Sequence, residues 1–312
     1  MKKLSLTGFK RARDFLIKGA RPLEKALFTL EFEDGTAGQV LTQLAQYQNP
    51  DGGFGQALEP DVRTPSSSAL CTEMGLRILS ELHTPADHLM LQAAVKYLIK
   101  SLDPNTQVWR VVPADANDYP HAPWWHDEDG SLARTFDDYL VIPRAGILAA
   151  LYHYAQMIPA DWLAAVTEAT IDDIHQMDVE KFGGGGDALV YTRRLAEAPG
   201  LPVEFKSWLV PHIIEIADRI AARKSAQWTE YCAPPLKLAP TPDTITAQVL
   251  SDCLPAHLDY LIEGQTPEGF WEPTWSWGDF HPADWSQAQE EWRGILTLDA
   301  LISLRAFDRL TA

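Results

Sequence analysis

The sequence predicts an all-α protein of about twelve helices, folded as a single domain over residues 1–312. Apolar residues recur at helical spacing along most of the chain, and convincing alternation of apolar and polar residues, which marks strands, is missing. No charge run, Gly/Ser linker or shift in composition marks a domain boundary. One domain is therefore the simpler interpretation.

The clearest amphipathic pattern lies at 68–82, where apolar residues recur every four positions from Leu70 to Leu82. Ser66 or Ser67 is the expected N-cap of this helix, because a serine oxygen can accept from a free backbone N–H. The same periodicity predicts further helices over these segments: 8–19, 23–32, 36–47, 87–102, 144–157, 161–176, 187–197, 203–222, 243–253, 255–264 and 286–307.

Pro211 falls inside one of these segments and should kink or split that helix. Two long loops, 103–140 and 265–285, separate helices. Loops of this length usually serve as binding loops or lids. We therefore expect the functional residues to lie mainly on them.

The net charge of −17 argues against nucleic acid as a partner, because binding a phosphate backbone depends on Lys and Arg. No stretch approaches the roughly 18 apolar residues of a membrane span. Three cysteines without disulfide-like or metal-like spacing fit a reducing compartment, and the N-terminus lacks a signal-peptide pattern. We expect a cytoplasmic protein with a small-molecule ligand and without metal or cofactor. The oligomeric state is left open.

One loop pattern occurs twice in the sequence. QNPDGGFG at 48–55 and QTPEGFW at 265–271 both read Gln, any residue, Pro, an acid, Gly, any residue, aromatic. A leucine stands four residues before each glutamine, and degenerate copies occur at 98–109 and 177–187. Repetition is typical of a structural joint between repeated helical hairpins that bury one continuous core.

This pattern resembles the QW motif of the terpenoid cyclase and protein prenyltransferase superfamily, which includes squalene-hopene cyclase-like scaffolds. The resemblance implies an α/α toroid, an α6/α6 barrel in which an inner ring of helices is wrapped by an outer ring. In that family the glutamine of the motif satisfies backbone groups at a neighbouring helix end and stacks on the aromatic. Such a role is physically sensible because helix ends leave backbone polar groups unpaired.

The well-known active-site motifs of that superfamily are absent. The Asp-x-Asp-Asp acid of bacterial triterpene cyclases is not found, and its nearest counterpart is Asp115-Ala-Asn-Asp118. The Asp-x-Cys zinc ligands of prenyltransferases are replaced by the adjacent pair Asp252-Cys253. The resemblance therefore predicts the scaffold and leaves the chemistry to other residues.

Three clusters of chemistry-bearing residues are the candidate sites. The first cluster lies at 119–129. His126, Asp127 and Asp129 are its candidate catalytic groups, and the alternative interpretation is a solvated acidic turn. Its aromatic residues could line a pocket, and we assign them to substrate binding: Tyr119, Trp124 and Trp125.

The second cluster lies at 271–285. Its aromatic walls suit sugar stacking or stabilisation of a carbocation, although they could equally plug one end of a barrel. The residues assigned there to substrate binding are Trp275, Trp277, Asp279, His281 and Trp285.

The third cluster is Glu59–Pro65, directly after the first repeated loop. Asp61 is its candidate catalytic acid and Arg63 its candidate substrate-binding residue, with a bracing ion pair as the alternative.

The leading functional hypothesis is a prenyltransferase-like or terpene cyclase-like protein that binds or transforms an apolar, isoprenoid-type ligand in the central cavity. One alternative is a carbohydrate-active α/α barrel that uses paired carboxylates and stacked tryptophans. The other is a non-enzymatic scaffold that docks a partner protein. The sequence alone does not decide whether the protein is an enzyme.

Overall fold

The computed structural model describes residues 1–128, 130, 132, 141–182 and 184–311, and these form twelve α-helices joined by loops, 3-10 turns and isolated β-bridges. The all-α class expected from the sequence is therefore confirmed. The helices are α1 (Leu6–Lys18), α2 (Pro22–Phe32), α3 (Ala37–Leu44), α4 (Ala69–Glu81), α5 (Leu89–Ser101), α6 (Arg144–Tyr152), α7 (Ala160–Gln176), α8 (Asp187–Glu197), α9 (Val203–Ile220), α10 (Pro235–Leu238), α11 (Leu254–Glu263) and α12 (Pro282–Ala306).

The chain divides into two compact units, each with its own apolar core. Unit 1 comprises Met1–Gln43, Gly184–Gly186 and Ala217–Ala312, and unit 2 comprises Leu44–Gly183 and Asp187–Ile216. The organisation as one domain stays a prediction.

Unit 2 is built around a layer of three helices, in which α6 packs against α4 and against α8. All nine residues of α6 are buried, including Arg144. A helix that is apolar and buried on every side belongs in the interior of its unit. Helices α5 and α7 pack against α4 and α6, respectively.

In unit 1, α1, α2 and α12 pack against one another, and α10 packs against α11. Leu16, Phe28 and Leu301 are fully buried in this core. Leu4 pairs with Leu310 in a parallel bridge, and the Leu4 N–H donates to Arg309 O at 2.7 Å. None of the helices in the described part of the chain combines the length and the apolar run needed to cross a membrane.

Two local expectations were wrong, and a third was tested only in part. Segment 243–253 forms turns in place of a helix, and the Thr244 hydroxyl there bonds locally, accepting from the Thr241 N–H at 3.3 Å. Helix α9 runs through Pro211 without a split, because its fully buried residues Leu209 and Ile213 outweigh the cost of the proline, about 3 kcal/mol, and a kink at Pro211 stays a prediction. The N-cap of α4 is Ser68, whose hydroxyl accepts from Cys71 N.

Candidate functional site

The first repeated loop fixes the start of the candidate site in unit 2. Gln48 Nε2 donates to Gly52 O and to Met90 O in the first turn of α5, each at 2.9 Å. Gly52 has φ +93°, and a Cβ on it would lie 2.4 Å from Ala93 O. The N–H of Phe54 donates to Thr72 Oγ1 on α4 at 3.0 Å. The loop is therefore held between α5 and α4 and delivers the chain into segment 59–63.

Segment 59–63 is paired with the loop that carries the histidines. The N–H of Ala122 donates to Asp61 O at 2.9 Å, and the N–H of Arg63 donates to Pro120 O at 3.1 Å. Asp61 and His121 are 2% and 1% exposed, respectively. Two sequence clusters that lie about sixty residues apart therefore meet, and we call four of their polar residues the loop group: Glu59, Asp61 and His121, which are buried, and His126, which is half-buried.

The two imidazoles of the loop group are hydrogen-bonded to each other. His121 Nδ1 lies 2.6 Å from Tyr119 O, and His121 Nε2 lies 3.0 Å from His126 Nδ1. A carbonyl oxygen only accepts, so Nδ1 of His121 must carry a proton. If His121 is neutral, its Nε2 accepts from His126. Glu59 Oε2 accepts from the Asp61 N–H at 2.5 Å, which orients this carboxylate within the loop group.

Asp127 directly follows His126 and is held on two sides. Its Oδ2 accepts from Arg110 at 2.6 Å, and its backbone N–H and C=O bond to the Asn117 side chain at 3.0 and 2.8 Å. Its buried Oδ1 has no hydrogen-bond partner among the residues that the structure describes. These contacts favour a bracing role for one carboxylate oxygen and leave the other available.

The aromatic residues predicted beside this group differ in exposure. Tyr119 and Trp124 are among the most exposed large apolar residues, at 36% and 38%, whereas Trp125 is buried. Arg63 Nη1 donates to Pro60 O at 3.3 Å, so this guanidinium helps to brace its own turn. Asp129 lies outside the described residues.

The remaining predicted residues belong to unit 1. Trp277 is 1% exposed and contacts Trp285, with ring centroids 5.7 Å apart, whereas Asp279 is exposed. Trp275 packs edge-on against Trp292 at 5.0 Å. His281 precedes α12 in a left-handed conformation, with φ 45°. In unit 1 these tryptophans contact other tryptophan rings, and their assignment to substrate binding stays a prediction.

The structure also assembles a polar group that the sequence did not predict. Glu73 on α4 is 1% exposed, and its Oε1 accepts from Arg194 Nη1 on α8 at 3.3 Å. Burial raises the pKa of the Glu73 carboxyl, against the smaller opposing effects of Arg194 and Arg77. Its Oε2 is buried without a hydrogen-bond partner in the described part of the chain. Burial therefore shifts this carboxyl towards its protonated form, relative to an exposed glutamic acid.

A weak signal for this group exists in the sequence. Glu73 and Arg77 stand four residues apart on a helix whose other positions are mostly apolar. Such a pair is ordinarily a solvated ion pair on a helix surface. Here Arg77 instead donates to Glu81 at 3.2 Å, and Glu73 is left for Arg194.

Comparison with models of protein families finds no match, and comparison with curated proteins finds none either. Among solved structures, the chain is similar to the type II terpene cyclase MstE from Scytonema in its apo form. The TM-score is 0.53 and the sequence identity 13%, and the similarity covers 97% of this chain and 99% of that chain. At this identity the likeness shows the fold alone, so the chain has a terpene cyclase-like all-α fold.

Proposed function

We propose that this chain binds an apolar, isoprenoid-type ligand and starts carbocation chemistry on it by proton transfer. The fold supports this proposal, because its similarity to a type II terpene cyclase extends over nearly the whole chain. The carbohydrate and partner-docking alternatives draw no comparable support from that similarity. Fold likeness alone does not assign chemistry, so the proposal depends on the site.

The observation that carries the proposal is the loop group. Glu59 and Asp61 are buried on the segment that pairs with the loop of His121 and His126, and these two imidazoles are hydrogen-bonded to each other. A carbon–carbon double bond is a very weak base, so its protonation needs a strong acid shielded from water. Buried carboxyl and imidazole groups can hold a proton in such surroundings.

In the proposed step, the carboxylic acid of Asp61 gives its proton to the less substituted carbon of a trisubstituted double bond at the end of the chain. The π electrons form the new C–H bond, and a tertiary carbocation remains. The π electrons of the next double bond then attack this cation and close a ring, and loss of a proton from carbon to a base ends the sequence. The proton count balances without an oxidant or a reductant.

The other predicted residues have supporting roles in this proposal. His126, which is hydrogen-bonded to His121, is the proposed base that takes the proton lost from carbon, and Asp127 and Asp129 add negative charge that favours a nearby cation. The ring faces of Trp124 and Trp125 can stabilise cationic carbon. Arg63 and Tyr119 contribute to ligand contact at the rim. From unit 1, Trp275, Trp277, Asp279, His281 and Trp285 stay proposed ligand-contact residues.

The experiment is incubation of the purified chain with linear polyprenols in D₂O. We expect cyclised products that carry one added deuterium on carbon. The variant Asp61→Asn should lose turnover by about 100-fold or more with little change in ligand affinity. Asp118→Asn, which changes an exposed acid of the same loop region, is the matched control and should keep full activity.

Two results would overturn the proposal. One is the absence of binding for every polyprenyl probe. The other is equal turnover by the wild type and by Asp61→Asn, which would remove the loop group from the chemistry.

A further inference from the structure

The polar group around Glu73 lies on the three-helix layer of unit 2. Glu73 comes from α4, and Tyr191 and Arg194 come from α8, although α6 packs between these two helices. The guanidinium of Arg194 lies 5.6 Å from the centre of the Tyr191 ring and reaches Glu73 at 3.3 Å. Side chains from the two flanking helices therefore meet across the middle one.

Gly146 on α6 makes this meeting possible. A Cβ at Gly146 would lie 2.6 Å from Glu73 Oε1 and 2.6 Å from Tyr191 Cδ1, closer than real Cβ contacts. Any other residue at this position would separate the side chains of α4 and α8. The glycine therefore acts as a window in the middle helix through which the two side chains approach each other.

The group lies on the face of α4 opposite to the repeated loop. Phe54 packs against Gly75, and its N–H bonds to Thr72, which places these two residues on the loop side of α4. Successive residues of a helix are about 100° apart, so Glu73 and Arg77 point the opposite way. Arg77 and Arg194 side chains are 32% and 31% exposed, so this face reaches solvent although Glu73 itself is buried.

The chemistry of the group is that of a set of hydrogen-bond donors. Burial raises the pKa of Glu73 and also that of the Tyr191 hydroxyl, which favours the protonated form of each group. Arg194 carries a permanent charge that a neutral Glu73 does not compensate. The buried Glu73 Oε2 has no partner among the described residues, which leaves one carboxyl oxygen ready to donate to a ligand.

We propose that Glu73, Tyr191 and Arg194 form a binding subsite for an acceptor oxygen at the end of the apolar ligand, and that a carboxylate fits it best. The proposal rests on the proposed function, because it assumes an isoprenoid-type chain and adds the class of its polar end. A carboxylate would accept the Glu73 proton on one oxygen and pair with Arg194 on the other. A hydrocarbon would leave the buried donors without a partner.

This assignment makes carboxylate binding depend on pH. Deprotonation of Glu73 replaces a donor by a negative charge that repels the ligand, so affinity should fall as pH rises. The charged groups that act on Glu73 are Arg77 and Glu81 on α4 and Arg194 on α8, and Asp187 on α8 acts on the neighbouring Tyr191. At the contact with α6 the facing residue is Gly146, which has no side chain to titrate.

The test measures calorimetric binding of three polyprenyl probes of equal chain length, a carboxylic acid, an alcohol and a hydrocarbon. The acid should bind at least about tenfold more tightly than the hydrocarbon, and this preference should shrink at least about tenfold from pH 5.5 to pH 9. Arg194→Gln should remove the preference for the acid and keep the affinity for the hydrocarbon. Lys96→Gln, which removes an exposed positive charge on α5, is the charge control.

Glu73→Gln supplies a second readout. The amide keeps a donor at every pH, so the variant should bind the acid with an affinity that hardly changes with pH. Gly146→Ala should weaken binding of the acid by displacing Glu73 and Tyr191. The pH series on the unaltered chain keeps the test decisive if a variant fails to fold.

The outcomes separate the two proposals. Equal affinity for all three probes, or a preference for the acid that does not change with pH, overturns the subsite and leaves the proposed function standing. Failure of every probe to bind overturns the proposed function, and the subsite falls with it.

Discussion

The two repeated loops, one in each unit, make the same contacts with different surroundings. Gln265 Nε2 donates to Gly269 O at 3.0 Å and to Gly8 O in the first turn of α1 at 2.9 Å, as Gln48 does to Gly52 and Met90 in unit 2. The N–H of Trp271 donates to Thr297 Oγ1 on α12 at 3.2 Å, in the way that Phe54 uses Thr72. The joint is the same in both places.

The segments that come after the two joints differ. In unit 2 the next segment buries Glu59 and Asp61 and pairs through its backbone with the loop that carries the histidines. In unit 1 the next residue, Glu272, is exposed and binds Arg293 on α12 at 2.8 and 2.9 Å. A repeated loop therefore serves the scaffold, and the chemistry depends on the segment that each copy introduces.

The largest expected effect comes from the glycine of each joint. Gly269 has φ +106°, and a Cβ there would lie 2.4 Å from the Arg11 carbonyl carbon, matching the crowding of Gly52 against Ala93. Gly52→Ala and Gly269→Ala should each lower the free energy of unfolding by about 4 kcal/mol or more, because a strained φ adds to a backbone overlap. Urea unfolding measures this.

Gly278→Ala is the matched control for these two variants. Its φ is +58°, but a Cβ there would contact nothing within 4 Å, so about 1–2 kcal/mol is expected. If the free energy of unfolding falls by only this much for Gly52→Ala or Gly269→Ala, the two joints are not equivalent.

The next largest expected effect is the pH dependence of stability, which has opposite signs in the two units. In unit 1, burial lowers the pKa of His257 to about 4. The unfolded chain takes this proton first, so the stability that a neutral His257 contributes is complete above about pH 6.5 and falls by about 3 kcal/mol towards pH 4. In unit 2 the raised pKa of Glu73 has the opposite sign, and its contribution is lost as pH rises above the value of the unfolded chain.

Hydrogen exchange at several pH values can resolve the two contributions locally. His257→Gln should flatten the acid-side loss of protection in α11, and Glu73→Gln the alkaline-side loss in α4. If a variant leaves both pH profiles unchanged, the pKa of the replaced group does not differ between the folded and the unfolded chain.

The smallest expected effect comes from the glutamines. Gln48→Leu and Gln265→Leu each remove two hydrogen bonds to backbone carbonyls and should each cost about 1–3 kcal/mol, by similar amounts. Gln176→Leu at the exposed end of α7 should change stability by less than about 0.5 kcal/mol. Thermal unfolding monitored by circular dichroism gives the comparison, and clearly unequal losses at the two joints would contradict it.

The sequence predicts the helices well where one apolar stripe decides the outcome, as in α4, and poorly where hydroxyl groups compete, as in 243–253. It places Asp61 and His126 on loops. The backbone pairing of these loops depends on contacts between segments that are distant in the sequence. Glu73 escapes notice because a single acid on an amphipathic helix normally faces water. Its burial depends on Gly146 and α8, which no local pattern around position 73 reveals.

The two repeated loops differ in the residue that follows the joint glycine, so they cannot simply be exchanged. In unit 1 that residue is Phe270, which contacts Phe15 at 4.9 Å and lies under Arg293 at 4.6 Å. In unit 2 it is Gly53, where a Cβ would lie 2.6 Å from Ser67 and 2.8 Å from the Tyr97 ring. A chimera that carries QNPDGGF in unit 1 loses the contacts of Phe270 but fits. In the reverse chimera the phenylalanine at position 53 would overlap Ser67 and Tyr97. Only the first of the two exchanges is therefore tolerated.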